Sequence, residues 1–333
     1  MGNLYVQTNE QDNKVIAFRR DEDGSLTRLG GFATGGAGDG VPHLTSQGSV
    51  VLAGDGQLLI ANAASGDVSV FATAADGVEL IGTTSTGAAP KSVAEHGGIV
   101  YVLNTGDPSL VGFRLGESGF EPLEGARRDL PVGSDPAQVG FSPDGSALVV
   151  TNRGTDSVTA FAVAEDGRLG EQQDVASSGP TPYGFAFAGE TLVVTEAFGA
   201  QVGKAAASSY RLAGRSLEPV TPSVGNGRSE ICWAVTTPDG RWAFTTNFAD
   251  GAVSRYAIGD DGTLELEDAT AGLAVEGRTG LRDEDLTADG RFLYAINADS
   301  QRIFGWAVGP DGGLSPVGSW DGVPATVAGL AAD

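Results

Sequence analysis

Short apolar runs of four to six residues follow one another along the chain, each broken by Gly, Asp or Asn, and helical three-and-four spacing is not evident. Many of these runs end on Asn: Leu4-Tyr5-Val6-Gln7-Thr8-Asn9, Leu58-Leu59-Ile60-Ala61-Asn62, Val100-Tyr101-Val102-Leu103-Asn104, Leu148-Val149-Val150-Thr151-Asn152, Ala243-Phe244-Thr245-Thr246-Asn247 and Leu293-Tyr294-Ala295-Ile296-Asn297. A seventh copy, Leu192-Val193-Val194-Thr195-Glu196, ends on Glu instead. The end positions 9, 62, 104, 152, 196, 247 and 297 are spaced by 42 to 53 residues, so the chain holds seven units.

Within a unit the order repeats: an inner strand, a Gly turn, the Asn-ending strand, a short turn, a third strand such as Val158-Thr159-Ala160-Phe161, an acidic Gly turn and a fourth strand. The Gly turns Pro143-Asp144-Gly145, Pro238-Asp239-Gly240 and Ala288-Asp289-Gly290 suit tight hairpins. A four-stranded sheet cannot bury both faces alone, so repetition at this period predicts an all-β, seven-bladed β-propeller with four antiparallel strands per blade. The chain begins at the second strand of a unit. The segment Ala325-Thr326-Val327-Ala328-Gly329-Leu330-Ala331-Ala332 follows a complete seventh unit, and is expected to close the ring as the inner strand of the first blade. Residues 1–333 read as one propeller domain.

Composition narrows the chemistry. With 20 Lys+Arg against 43 Asp+Glu the net charge is −23, which repels phosphate backbones and anionic lipid, so neither nucleic acid nor membrane is an expected partner. A lone Cys232 excludes an internal disulfide and a thiolate zinc site, and two His residues exclude a His-rich one. No cofactor or metal is implied, and a monomer is expected. The compartment is open: cytoplasmic if Met1 is the native start, secreted or periplasmic if a signal peptide was removed.

In a propeller the lead-in to each inner strand and the end of each second strand lie on one face. Counting back 15 residues from each end mark, or 13 where the turn is shorter, places Gln47, Lys91, Ala137, Tyr183, Cys232 and Arg282 at the channel mouth, with Ala325 as the first-blade equivalent. The Asn marks read as turn chemistry. Glu196 departs from them and is a candidate general base, Arg282 and Lys91 are candidate anion-binding cations, and Tyr183 is a candidate donor to an oxyanion. His43, Cys232 and Trp233 stand near the same mouth as candidate binding residues. One of Asp283, Glu284 and Asp285 reads as an ion-pair partner of Arg282, and His96 as a structural residue of the opposite face.

Over essentially its whole length, through units such as Phe141-Ser142-Pro143-Asp144-Gly145 and the closing Gly329-Leu330-Ala331-Ala332, the chain resembles the lactonase family of seven-bladed propellers, which includes 6-phosphogluconolactonase-like proteins and the fungal carboxymuconate cyclase. The resemblance implies an active site made of a Pro-Arg-His motif, a Glu at the following second-strand end and a later Arg. Glu196 and Arg282 match the last two. Pro182-Tyr183-Gly184-Phe185 stands where the motif would be, so the chain is similar to a subgroup without it.

These readings together lead to the expectation of a lactonase-like hydrolase or lactone-forming isomerase acting on a small carboxylated molecule or lactone in the channel. Two alternatives stay open. One is a non-enzymatic propeller binding a small ligand or a protein partner, and the other a divalent-metal-dependent propeller hydrolase using Glu196 with Asn152, Asn247 and Asn297.

Overall fold

The structure, a computed structural model, describes residues 1–333 apart from 43, 214, 215 and 276. Seven sheets of four antiparallel strands follow in chain order. The inner strands of blades two to seven are Val50–Leu52, Pro90–His96, Pro136–Phe141, Pro182–Ala188, Ile231–Thr236 and Leu281–Leu286. The inner strand of blade one is Ala328–Ala332, which pairs with Gly2–Gln7. The expected closure is therefore present, and the Asp333 amide adds a bond to the Asn3 carbonyl at 2.9 Å. The sole helical element among the described residues is the three-residue turn Phe198–Ala200, and no helix is long and apolar enough to cross a membrane.

Packing explains why the second strands read as continuous apolar runs. Along Ala147–Asn152, Leu148 and Val150 pack with Tyr101, Leu103 and Leu110 of blade three, whereas Ala147 and Val149 pack with Phe185, Leu192 and Val194 of blade five. Successive side chains point to opposite faces, and both faces of a blade are covered. The seam obeys the same rule: Leu4 and Val6 meet Tyr294 and Ile296 of blade seven, while Tyr5 and Val15 meet Leu58 and Ile60 of blade two.

The turns carry the repeat as well. Gly145 has φ +71°, and its amide bonds to the Ser142 carbonyl at 2.9 Å. A Cβ at Gly145 would lie 2.2 Å from the His96 ring, so both conformation and close approach require Gly there.

Candidate functional site

Five of the seven channel-mouth positions fall on a backbone irregularity, whereas Gln47 and Ala325 precede the strands Val50–Leu52 and Ala328–Ala332. Pro90 pairs with Asn104, Pro136 with Asn152, Pro182 with Glu196, Ile231 with Asn247 and Leu281 with Asn297, and in all five blades the register shifts immediately afterwards. Lys91, Ala137, Tyr183, Cys232 and Arg282 are the residues that follow the paired position. A β-bulge frees a residue from the ladder and re-aims its side chain, which is how one repeated strand presents different chemistry at the axis.

Tyr183, Cys232, Trp233 and Arg282 are brought together and buried. The Tyr183 and Trp233 rings are 5.4 Å apart, and the Arg153 guanidinium lies 5.0 Å from the centre of the Tyr183 ring. Arg282 stands 5.3 Å over the Phe248 ring. Burial, then the neighbouring Cys232, pushes the Tyr183 hydroxyl well above its ordinary pKa, so it stays a donor. Burial likewise pushes the Cys232 thiol up, and Cys232 Sγ donates to the Glu230 carbonyl at 3.4 Å. The thiol is held neutral, which is unlike an activated nucleophile.

Asp283 completes this cluster, and the sequence reading passed over it. Its carboxyl is pushed up to about 7 by burial, against hydrogen bonds from the Gly329 amide and Trp233 and the attraction of Arg282. Tyr183 Oη, Arg282 Nε and Asp283 Oδ2 are buried with no hydrogen-bond partner among the described residues. Two unmatched donors and one unmatched acceptor are thus left in one apolar setting, where each is costly unless a ligand or water meets it. The signal was present as a run of three acidic residues, and what the pattern did not show is that their strand is buried.

The mouth itself is crossed by the segment joining blades one and two. Arg282 Nη1 donates to the Pro42 carbonyl, Trp233 Nε1 to the Ser46 carbonyl at 3.0 Å, and Ser46 Oγ to the Lys91 carbonyl at 2.7 Å. Gln47 Nε2 donates to the Ala234 carbonyl at 2.7 Å, and Gln47 Oε1 accepts from the Ala234 amide at 3.1 Å. The open space lies further along the axis: a cavity of about 470 Å³ on the side where the inner strands end, bordered by Gln138, Phe141, His96, Asp283, Glu284 and Asp285 among others.

Two expected site residues, Lys91 and Glu196, lie apart from the cluster. Lys91 is paired with Asp39, Nζ to Oδ2 at 3.9 Å. Glu196 is fully buried and its contacts belong to blade five. It accepts from the Gly179 amide at 2.9 Å and from Ser223 Oγ, and it is also hydrogen-bonded to Ser208. The other blades show what this position is for. Asn62, Asn152 and Asn247 donate to Ser69, Thr159 and Ser254, the third residues of their third strands, and Ser208 occupies that same place in blade five. Glu196 keeps the network with donor and acceptor reversed, and burial raises its pKa. His43 lies outside the described residues. Among the described residues no group of three or more His, Cys, Asp and Glu side chains is placed to hold a metal ion.

Comparison with known proteins agrees with this architecture. Residues 120–202 match the family model described as lactonase, 7-bladed beta-propeller. A suspected 6-phosphogluconolactonase from Bacteroides fragilis superposes with a TM-score of 0.76 at 20% identity, covering 99% of this chain and 97% of that one. The periplasmic gluconolactonase of Pseudomonas aeruginosa gives 0.73 at 17% identity, covering 97% of each chain. A functionally unknown protein from Desulfotomaculum acetoxidans gives 0.76 at 12% identity, covering 99% and 98%. No curated protein matches the chain.

Proposed function

For this lactonase-type seven-bladed propeller, we propose a lactone hydrolase whose reaction is carried by the buried cluster of Asp283, Tyr183 and Arg282. The observation that carries the reading is the set of unmatched polar groups: an acceptor on Asp283 and donors on Tyr183 and Arg282. An attacking water needs the first and a lactone carbonyl oxygen the other two.

In this mechanism Asp283 takes a proton from water as the water oxygen bonds to the carbonyl carbon. The tetrahedral oxyanion forms under Tyr183 Oη–H and Arg282 Nε–H. The ring C–O bond then breaks, and the proton held by Asp283 passes to the departing alkoxide. One lactone and one water give one hydroxy acid, with the carboxylate base restored. A carboxyl near pKa 7 suits a base that must both take and return a proton at neutral pH.

Glu196, the base expected from the sequence, has its two oxygens engaged by Gly179 and Ser223, and we give the role to Asp283 instead. The substrate carboxylate expected at Lys91 and Arg282 meets cations already engaged by Asp39 and by the Pro42 carbonyl, so the reading rests on the lactone group alone. Cys232 and Trp233 act as walls and supports of the cluster. A second reading, a propeller that binds without reaction, is favoured by the bonds of Pro42, Ser46 and Gln47 across the mouth.

The test is Tyr183→Phe on lactone turnover. Loss of one oxyanion donor is expected to lower kcat by about 10²–10³-fold with KM little changed. Unchanged kcat would remove Tyr183 from the mechanism.

A further inference from the structure

The channel cavity has a one-sided charge. Glu95, Asp283, Glu284 and Asp285 border it, and no Lys or Arg is among the described residues that do. The rest of its wall is largely apolar, with Val50, Leu52, Val93, Val139, Phe141 and Leu330. Asp285 and Glu95 are anchored by backbone amides: Asp285 by Ala332 and Leu286 at 2.9 Å each, Glu95 by Gly54 at 3.0 Å and Gly98 at 2.7 Å. Anchoring fixes these carboxyls without supplying a positive partner.

The two deeper carboxyls are less satisfied still. Asp283 is 3% exposed and Glu284 4%. Among the described residues Asp283 Oδ2 and both oxygens of Glu284 are buried without a hydrogen-bond partner, and the Thr246 backbone offsets the burial of Glu284 only in part. Burial raises both pKa values, and in Glu284 the neighbouring Asp285 and Asp283 raise it further. A buried carboxyl without a partner is stabilised by whatever brings positive charge or N–H donors to it.

We infer that the lactone this cavity takes bears a positive charge, an ammonium-substituted lactone rather than a phosphorylated or carboxylated one. The ammonium group sits beside Glu284 and Asp285, which leaves Asp283 to the attacking water, and its carbon skeleton lies on the apolar wall. A phosphate or carboxylate substituent would add negative charge beside three carboxyls whose own ionisation burial already disfavours, with no Lys or Arg among the described residues of the lining to receive it. This rests on the hydrolase reading for the lactone and on the cavity alone for the charge.

The experiment compares three γ-butyrolactones: unsubstituted, carboxylate-bearing and bearing a trimethylammonium group, whose charge does not vary with pH. The expected order of kcat/KM is ammonium over neutral over carboxylate, with at least about tenfold between the first two, and a gap that narrows as salt is raised. Asp285→Asn should narrow it at low salt. A parallel calorimetric titration uses butyltrimethylammonium, which has no bond to hydrolyse. Binding of this cation with no turnover of any lactone would keep the charge assignment and remove the hydrolase reading. Equal or better turnover of the carboxylate-bearing lactone, or no binding of butyltrimethylammonium, would overturn the inference.

Discussion

The Ala332 amide donates to Asp285 Oδ2 at 2.9 Å, joining the strand that closes the ring to the acidic lining of the channel. Closure and the acidic part of the site therefore share a pair of inner strands, those of blades one and seven. Deleting residues 325–333 should remove the buried Val327, Ala328, Leu330, Ala331 and Ala332 and expose the seam. We expect a melting temperature lower by at least about 10 °C in calorimetry, or no cooperative transition at all. A truncated chain that melts with the intact one would show that the clasp contributes nothing.

Acid should stabilise this protein through the same strand. Asp283 and Asp285 have ordinary values of 3.8 and rise to about 7 in the fold, chiefly by burial. Between about pH 4 and 7 the unfolded chain has released protons that the folded chain still holds, so stability falls as pH rises through that window. The double variant Asp283→Asn, Asp285→Asn should gain melting temperature at pH 8 relative to wild type, and gain less at pH 5. An equal change at both pH values would contradict the buried, partly protonated state.

Glu196 offers a contrast. Glu196→Gln keeps the shape of the blade-five network and should leave lactone turnover within a few-fold of wild type. Glu196→Ala leaves Gly179 and Ser223 without an acceptor and should cost about 1–3 kcal/mol in urea unfolding. A loss of turnover in Glu196→Gln comparable to that expected for a general base would return the base to Glu196.

Gly184 reports on how tightly the mouth is filled. A Cβ there would lie 2.3 Å from Gln47 Oε1 and 2.4 Å from the Cys232 carbonyl. Gly184→Ala should therefore cost about 1–3 kcal/mol and loosen the Gln47 bridge to Ala234. Denaturant unfolding measures the cost, and a neutral substitution would mean that Gln47 is easily displaced.

The ring was legible in the sequence because both faces of every second strand are buried, which writes the repeat as apolar runs with fixed turns. The mouth register was legible for the same reason: Lys91, Tyr183, Cys232 and Arg282 do follow the paired residue of their strands. The chemistry at Glu196 misled because an odd residue in a repeat looks functional, while the compensating Ser208 is visible only once third strands are aligned in space. Asp283 was hidden by its neighbours. An acid beside an Arg looks like its counter-charge, and only burial separates Asp283 and Glu284, which lack partners among the described residues, from the anchored Asp285. The bridge from Pro42 to Arg282 spans 240 residues and leaves no mark in local pattern.

The most direct measurement is the pH–rate profile of lactone hydrolysis by wild type and Asp283→Asn. A base with a pKa of about 7 predicts a rising limb centred there in wild type. In Asp283→Asn that limb should disappear with a rate loss of about 10²–10⁴-fold. Hydrolysis by Asp283→Asn at the wild-type rate with the same limb, or no hydrolysis by wild type above the Asp283→Asn background, would contradict the account.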